Sequence, residues 1–325
     1  IITNMKKKVL VTGGAGFIGS NFCNINKEKY DIVVLDNLFL GTPSNLHPDI
    51  KFIKGDACKN EDLAKCGDDF DIVLHFAGTS SAPMFMGDGF ADGYVNSIES
   101  FVRTLEFARK TGAKKFLYAS TSSIYGNNPL PLVEDQQVVP PNHYAVTKFT
   151  YEHCTRMYNH VYPEMDTIGF RFMSVYGPNE EAKGRYANMI TQFLWDLARD
   201  LPPVIYGTGE QFRDFTNVKD IVAGITLALE KENLGNKVYN IGRGESTSFN
   251  DIFKAINQVL GKNIQPIYIE NPVKEGYVKG QHADIHKIQS ELGFKPTVEL
   301  LDGIRDLADN LDRSRIKETS SDSLR

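Results

Sequence analysis

A glycine-rich turn near the start of the chain has the spacing that a nucleotide pyrophosphate requires. The segment Val9–Ser20 reads VLVTGGAGFIGS, with Gly13, Gly16 and Gly19 directly after an apolar run. Glycines at these points permit a tight turn and a close approach of the backbone to a pyrophosphate. The helix that follows would direct its free N–H groups at the anion. The segment therefore predicts a dinucleotide site.

Two acidic residues refine this prediction. Asp36 ends the second apolar run, IVVLD, where a carboxylate bonds the adenosine ribose and repels a 2′-phosphate. We therefore expect NAD rather than NADP. Asp56 follows a third run and is expected on the adenine side of the cofactor, and a loop or helix cap is its alternative role.

A tyrosine and a lysine four residues apart, Tyr144 and Lys148, could carry proton chemistry. Positions i and i+4 lie on one face of a helix, so the phenol and the ammonium would be neighbours. A nearby cation lowers the pKa of a phenol and makes it a usable base near neutral pH. The hydroxyl cluster Ser120–Ser123 leaves a fifth apolar run, where parallel sheets present reactive groups. Its alternative is a hydroxyl-rich turn.

Five apolar runs alternate with helical patterns in the first half of the chain and must position these residues. Such alternation predicts a parallel sheet covered on both faces, which is a doubly wound α/β fold of the Rossmann type. The expected strands are Lys8–Thr12, Ile32–Asp36, Lys51–Lys54, Ile72–Phe76 and Phe116–Ser120.

After Gly177, frequent prolines and glycines predict a smaller, mixed α/β lobe over the strand ends. We expect a cofactor-binding domain at residues 5–177, with a return segment near 215–241, and a substrate lobe at 178–311. Residues 312–325 are polar and charged and are expected to be disordered. Expected elements of the second half are helices at Tyr186–Arg199, Val218–Glu230, Phe249–Leu260 and Ile285–Leu292, and a strand at Val238–Ile241.

The composition excludes several classes of protein. The chain has 325 residues, of which 41% are hydrophobic and 24% charged, so collagen-like, coiled-coil and broadly disordered structures are excluded. A net charge of -5 gives no attraction to nucleic acid or an anionic membrane. No apolar run is long enough for a membrane span. The four cysteines lack metal-ligand spacing, so we expect reduced thiols, no metal and a cytoplasmic protein.

Seven ordered motifs together resemble the extended short-chain dehydrogenase/reductases, and among them the NAD-dependent epimerase/dehydratase family that acts on nucleotide-linked sugars. The resemblance extends from about Lys6 to Leu311. The motifs are TGGAGFIG, LDN at Asp36, HFAG at His75–Gly78, STSSIYG, the pair Tyr144/Lys148, RFMSVYGP at Arg171–Pro178 and YGTGEQFRDF at Tyr206–Phe215.

The resemblance implies a role for each matching residue. Tyr144 would be the catalytic base, Lys148 would hold the nicotinamide ribose and tune Tyr144, and Thr121 would bond the sugar hydroxyl that is oxidised. NAD would contact Gly13, Gly16, Phe17, Ile18, Gly19, Asp36, Asn37, Asp56, Ala57, Phe76, Ala77, Gly78, Asn96, Ser120, Tyr144 and Lys148. The sugar nucleotide would contact Ser80, Thr121, Ser122, Tyr144, Phe172, Ser174, Lys183, Arg185, Arg213, Lys274 and Gln281.

Within this family the residues after Thr121 favour epimerisation. Dehydratases carry Asp-Glu there to expel water, whereas this chain has Ser122–Ser123. HFAG is also the form found in UDP-galactose 4-epimerases. We therefore expect inversion at C4 of a UDP-hexose through a transient 4-keto sugar, and a homodimer formed by the helices near Asn96–Lys110 and Tyr144–Tyr158.

Three departures from the family pattern leave the substrate open. Ser174 replaces an asparagine, Lys274 a second diphosphate-binding arginine, and Gln281 a large aromatic residue that gates bulk on the sugar. Residues 177–188 resemble ADP-heptose 6-epimerases, in which the lysine matched by Lys183 is a second base. A 6-epimerase, decarboxylase or reductase on this scaffold is therefore the alternative, and a non-catalytic dinucleotide sensor is a third hypothesis.

Overall fold

A parallel sheet of seven strands forms the centre of the protein. The computed structural model describes residues 6–273 and 277–325. The strands of the sheet are β1 (Lys8–Thr12), β2 (Asp31–Asp36), β3 (Lys51–Lys54), β4 (Ile72–His75), β5 (Lys115–Thr121), β6 (Asp166–Phe172) and β11 (Asn236–Ile241). Their order across the sheet is β11–β6–β5–β4–β1–β2–β3. The doubly wound fold is confirmed.

Helices cover both faces of this sheet and build the smaller lobe. In the described ranges they are α1 (Phe17–Asn26), α2 (Asn60–Ala64), α3 (Gly89–Lys110), α4 (His143–Val161), α5 (Met189–Ala198), α6 (Val218–Glu230), α7 (Phe249–Leu260), α8 (His286–Leu292) and α9 (Leu300–Asp309). Two hydrophobic clusters lie against the sheet, one on each face. Within the described ranges, no helix combines the length and apolar character that crossing a bilayer requires.

The last strand of the sheet comes from the second half of the chain. β11 pairs in parallel with β6, from Asn236 opposite Thr167 to Ile241 opposite Phe172. The expected strand at Val238–Ile241 is therefore present and begins two residues earlier. Helix α6, which precedes β11, packs against α1, so the connection covers the sheet before the chain returns to it.

The smaller lobe is built from short strand pairs and three helices. The pairs are β7 (Ser174–Tyr176) with β10 (Phe215–Asn217), β8 (Val204–Tyr206) with β13 (Ile267–Ile269), and β9 (Phe212–Arg213) with β12 (Thr247–Ser248). A third hydrophobic cluster, which includes Phe193, Ile252 and Ile304, joins α5, α7 and α9.

One predicted helix begins later than its apolar pattern suggests. Helix α5 begins at Met189 and not at Tyr186, because Gly184 has a φ of +50° and interrupts a preceding 3₁₀ segment at Glu181–Tyr186. Asn188 then caps α5, since its side chain accepts the N–H of Ile190. The 3₁₀ segment carries Lys183 and Arg185.

The segment at residues 312–325 is packed against the protein, so the expectation of disorder is wrong. Thr319 and Ser321 are only 2% and 1% exposed. The Thr319 hydroxyl donates to the Asp196 carboxylate of α5 at 2.8 Å, and Ser321 Oγ accepts the backbone N–H of Val204 at 2.9 Å. The polarity that suggested disorder instead provides partners for buried polar groups of the lobe.

A buried ion pair links helix α4 to the sheet. Arg171 of β6 donates from Nε to Glu152 Oε1 at 3.0 Å and from Nη2 to Oε2 at 2.7 Å. Arg171 also donates to the Tyr125 hydroxyl at 2.7 Å, and Tyr125 donates to Asn240 of β11 at 2.7 Å. Side chains at Arg171 and Glu152 are about 6% and 7% exposed, so this network is nearly cut off from water.

Glu152→Ala should lower the free energy of unfolding by about 3–5 kcal/mol, because it leaves the Arg171 cation buried without its counter-ion. Glu28→Ala is the matched control, since Glu28 pairs with Lys27 on the surface and its side chain is 82% exposed. That change should cost about 0.5 kcal/mol or less. Urea unfolding of both variants measures this difference, and equal losses would contradict the role given to the buried pair.

Candidate active site

A cleft of about 810 Å³ lies between the carboxyl ends of the sheet strands and the smaller lobe. It is lined by every predicted site residue that the structure describes, from Gly13 to Gln281. Lys274 lies outside the described residues. The fold thus brings together side chains from distant parts of the sequence, and their individual roles stay predictions.

The glycine turn leaves room for a phosphate at one end of this cleft. Gly13 has a φ of +71°, and a Cβ atom there would stand 2.5 Å from the backbone nitrogen of Ala77. Any other residue would therefore strain the turn and push apart β1 and the segment after β4. Gly16 occupies the N-cap of α1 and has no side chain to satisfy the first N–H groups, which remain available to an anion.

Asp36 lies at the end of β2 and lines the cleft. Its carboxylate accepts the N–H of Leu38 at 2.7 Å and that of Ala15 at 3.0 Å, so it is fixed beside the glycine turn. Burial raises the pKa of Asp36, and these backbone hydrogen bonds oppose the shift. Asp56 also lines the cleft, and its side chain accepts the N–H of Cys58 at 2.9 Å. These residues and the open α1 terminus fit a dinucleotide such as NAD.

Tyr144 and Lys148 lie in the first two turns of α4, and both line the cleft. The helix begins here because Asn142 caps it, accepting the N–H of Ala145 at 2.9 Å. The Lys148 ammonium nitrogen lies 4.6 Å from the ring centre of Tyr151 and 5.9 Å from that of Tyr144. Thr121, at the end of β5, completes the group and is only 5% exposed.

The pKa values of this pair are set by burial. Burial raises the pKa of Tyr144, and interaction with the Thr121 hydroxyl opposes the shift. The expected depression by Lys148 is therefore not observed in the protein alone, because desolvation of the phenolate is the larger effect. Burial also lowers the pKa of Lys148 to about 7. A bound ligand that placed negative charge or hydrogen-bond acceptors beside Lys148 would raise its pKa and restore its positive charge.

Two serines at the end of β5 are fixed by hydrogen bonds of different kinds. Ser120 donates to Glu152 at 2.5 Å, which ties the strand end to the buried ion pair. Ser122 accepts a hydrogen bond from the Gln281 amide at 2.9 Å. Gln281 comes from the smaller lobe, so this bond joins the two walls of the cleft. The hydroxyl cluster is therefore a turn and also part of the cleft wall.

Three cationic side chains line the lobe side of the cleft. Arg213 donates to the Val278 carbonyl at 2.6 Å and lies 5.6 Å from the ring centre of Phe249. Burial lowers the pKa of Arg213. Lys183 lies 3.4 Å from the carboxylate of buried Glu180, and Arg185 is on the same 3₁₀ segment.

Sequence reasoning missed one end of the cleft. This end is formed by Gln192 of α5, by β8 and by Ser320 and Leu324. The residues belong to no glycine or catalytic motif, and the polarity of the last segment indicated disorder. The hydrogen bonds that hold this segment are long-range, so a local pattern could not reveal them.

Lys148→Met should stabilise the nucleotide-free protein near pH 7, and its advantage should shrink as the pH rises toward 10. The pKa of Lys148 is about 7 in the folded protein and 10.5 ordinarily, so the unfolded chain binds the proton more tightly. Burial of Lys148 therefore destabilises the fold near pH 7, and this effect fades as the pH rises toward 10. Urea unfolding at several pH values measures the effect. Lys254→Met, at an exposed lysine of α7, is the control. An unchanged difference between the Lys148 variant and the unmodified protein across this window would contradict the buried cation.

The chain is similar over most of its length to known nucleotide-sugar epimerases. A profile of the NAD dependent epimerase/dehydratase family matches residues 9–242. A UDP-glucose 4-epimerase of Mycolicibacterium smegmatis is 30% identical over 307 residues, covering 91% of this chain and 96% of that protein.

Two solved structures have the same fold over nearly the whole chain. A UDP-N-acetylglucosamine 4-epimerase of Methanobrevibacter ruminantium, in complex with UDP-N-acetylmuramic acid, is 31% identical with a TM-score of 0.87, and the match covers 94% of this chain and 98% of that one. A UDP-glucuronic acid 4-epimerase of Bacillus cereus, in complex with UDP-glucuronic acid and NAD, is 31% identical with a TM-score of 0.84, covering 93% and 98%. With the glycine turn, Asp36 and the Tyr144–Lys148 pair in one cleft, these matches establish that the chain belongs to the NAD-dependent epimerase/dehydratase family.

Proposed function

We propose that this protein is an NAD-dependent epimerase that inverts C4 of a UDP-hexose. The observation that carries the proposal is the convergence of Thr121, Tyr144 and Lys148 in one cleft. Ser122, which follows Thr121 in the chain, accepts a hydrogen bond from Gln281. An acid/base pair for dehydration is therefore replaced by a neutral hydrogen bond. The relatives that act on UDP-glucose, UDP-N-acetylglucosamine and UDP-glucuronic acid support a UDP-sugar.

Each of the three residues has a task that its position allows. Tyr144 removes the proton from the C4 hydroxyl, and Thr121 holds that hydroxyl during the transfer. Lys148 stabilises the phenolate of Tyr144 by its charge and binds a ribose hydroxyl. NAD held beside the glycine turn and Asp36 would supply the group that takes the hydride from C4 and gives it back. The 4-keto sugar presents its other face before the return, so the same tyrosine serves both half-reactions.

The cations of the lobe are suited to the diphosphate. Arg213 offers a guanidinium fork, which matches phosphate oxygens. Lys183 lies 3.4 Å from the Glu180 carboxylate and lines the cleft, where it can contact a phosphate. Because its ammonium is engaged in this ion pair, the position of Lys183 fits phosphate binding better than the role of a second base in a heptose 6-epimerase.

Incubation with UDP-glucose, UDP-N-acetylglucosamine and UDP-glucuronic acid should convert at least one of them into its C4 epimer, as followed by proton NMR. Tyr144→Phe should retain NAD and lose at least about 100-fold in turnover, because the proton-transfer group is gone. Tyr162→Phe, at the far end of α4, is the matched control. Inversion of an ADP-heptose at C6 with no reaction of the UDP-sugars would contradict the proposal.

We further propose that two copies associate through α3 and α4. Exposed apolar side chains lie along these two helices, among them Val95, Val102 and Met157 at 53%, 41% and 55% exposure. A groove of about 820 Å³ follows α3 and is lined by that helix and by Asn60 of α2. Burial of such a surface by a second copy would remove it from water.

Light scattering at micromolar concentration should therefore give the mass of a dimer, and Val102→Glu should shift it toward the monomer by placing a charge in the apolar contact. Ile25→Glu introduces the same charge on α1, where Ile25 is 53% exposed, and should leave the dimer intact. A monomeric unmodified protein would contradict this proposal.

The free thiols of this chain favour a cytoplasmic location. All four cysteines are free. Burial raises the pKa of Cys66 to about 11, which keeps it in the unreactive thiol form. Free, unpaired thiols are typical of reducing compartments, so we propose a cytoplasmic enzyme.

A further inference from the structure

The C-terminal segment, residues 312–325, contacts three parts of the protein: the loop after β2, the 3₁₀ segment and helix α5. Arg315 contacts Asn45 after β2 at 3.4 Å and Glu181 of the 3₁₀ segment at 3.5 Å. Farther along, the Ser320 N–H donates to the Gln192 side chain of α5 at 2.7 Å. The segment therefore begins beside the cofactor-binding half and ends on the smaller lobe.

Asp196 anchors the far end of this segment. Its carboxylate is completely buried in α5, where it accepts from Thr319 at 2.8 Å and pairs with Arg325 at 3.2 Å. Asp322 in turn pairs with Arg199 of the same helix at 3.0 Å. Buried polar groups are costly without partners, so these bonds specify one position for the segment.

Ser320 and Leu324 then form part of the wall of the substrate cleft, facing the same space as Arg213. Val204 and Ile205 of β8 line this region with them. On the proposed function, a sugar at Tyr144 and a diphosphate at Arg213 leave the nucleoside to lie beyond the diphosphate. Val204 and Ile205 are only 4% and 1% exposed, whereas Leu324 is 39% exposed and offers an apolar side chain against which a flat base can pack.

Both polar atoms of the Gln192 side chain already form hydrogen bonds within the protein. Its amide nitrogen donates to the carbonyls of Ala187 at 2.7 Å and Arg185 at 3.1 Å, and its oxygen accepts from Ser320. The residue is therefore committed to holding the C-terminal segment and the 3₁₀ segment together. Beside it, the exposed apolar side chain of Leu324 is available to contact the base.

We propose that the C-terminal segment is a specificity-determining part of the substrate site, in which Leu324 packs against the nucleoside base. The inference rests on the proposed function, since it takes the ligand to be a nucleoside diphosphate sugar. Because the segment also contacts the 3₁₀ segment that carries Lys183 and Arg185, it holds the base end and the diphosphate end of the site in register.

Leu324→Ala should weaken UDP binding by about three- to tenfold, because it removes apolar contact area from the base. Binding of inorganic pyrophosphate should be unchanged, since the cations that hold a diphosphate are untouched. Ser323→Ala is the matched control, because Ser323 is the exposed neighbour that does not line the cleft. Isothermal titration of both variants with both probes measures these effects.

Deletion of residues 317–325 gives a second measurement. The shortened protein should retain NAD but lose more UDP affinity than Leu324→Ala does, and circular dichroism shows whether it remains folded. UDP binding at the unmodified affinity, by Leu324→Ala or by a folded deletion variant, would overturn the inference. An equal loss for UDP and pyrophosphate would also overturn it, because the segment would then act on the diphosphate alone.

The proposed function fails in a different way. If the unmodified protein binds GDP, ADP or dTDP more tightly than UDP, the assignment of a UDP-sugar is wrong. The comparison of Leu324→Ala with Ser323→Ala is then made with the preferred nucleoside diphosphate, and the same outcomes decide the role of the segment.

Discussion

The buried pair between Glu152 and Arg171 is the contact on which the geometry of the site depends. Tyr144, Lys148 and Glu152 follow one another at intervals of four residues and so share one face of α4. The bidentate bond to β6 fixes the rotation of the helix, and the bond from Ser120 to the same carboxylate fixes the end of β5. Thr121 is thereby held opposite the face that carries the tyrosine and the lysine.

Glu152 and Lys148 are one helical turn apart and both are buried, but their surroundings compensate their charges to different extents. Glu152 receives hydrogen bonds from Arg171 and Ser120, so its charge is compensated within the fold. Lys148 packs over the rings of Tyr151 and Tyr144, and its pKa falls to about 7. An aromatic face stabilises a cation far less than a carboxylate does. The fold thus compensates the charge of Glu152, which positions α4. It leaves the charge of Lys148 to be compensated by a bound ligand.

Local patterns predicted the sheet, the glycine turn and the tyrosine–lysine pair, because strand burial, a positive φ at Gly13 and i,i+4 spacing are local constraints. Local patterns failed where contacts between residues distant in the sequence determine a pKa or the position of a segment. The pKa of Tyr144 is raised and not lowered, since desolvation by burial exceeds the opposing effect of the hydrogen bond with Thr121. The last segment is ordered because Thr319 meets a buried carboxylate in α5, more than a hundred residues earlier in the chain. Sequence composition shows that such a residue is polar, but it does not show which residue it contacts in the fold.

The hydrogen bond between Ser122 and Gln281 has a consequence for the sugar. It crosses from the end of β5 to the smaller lobe beside Tyr144, so its length sets the distance between the walls there. An amide fills less space than a large aromatic ring, and it can exchange its bond to Ser122 for one to a substituent of the sugar. On the proposed function, proton transfer at C4 depends on Tyr144 and Thr121, which line the cleft from α4 and the end of β5. On the proposed function, the lobe can therefore select among hexoses while the chemistry of the sheet side stays the same.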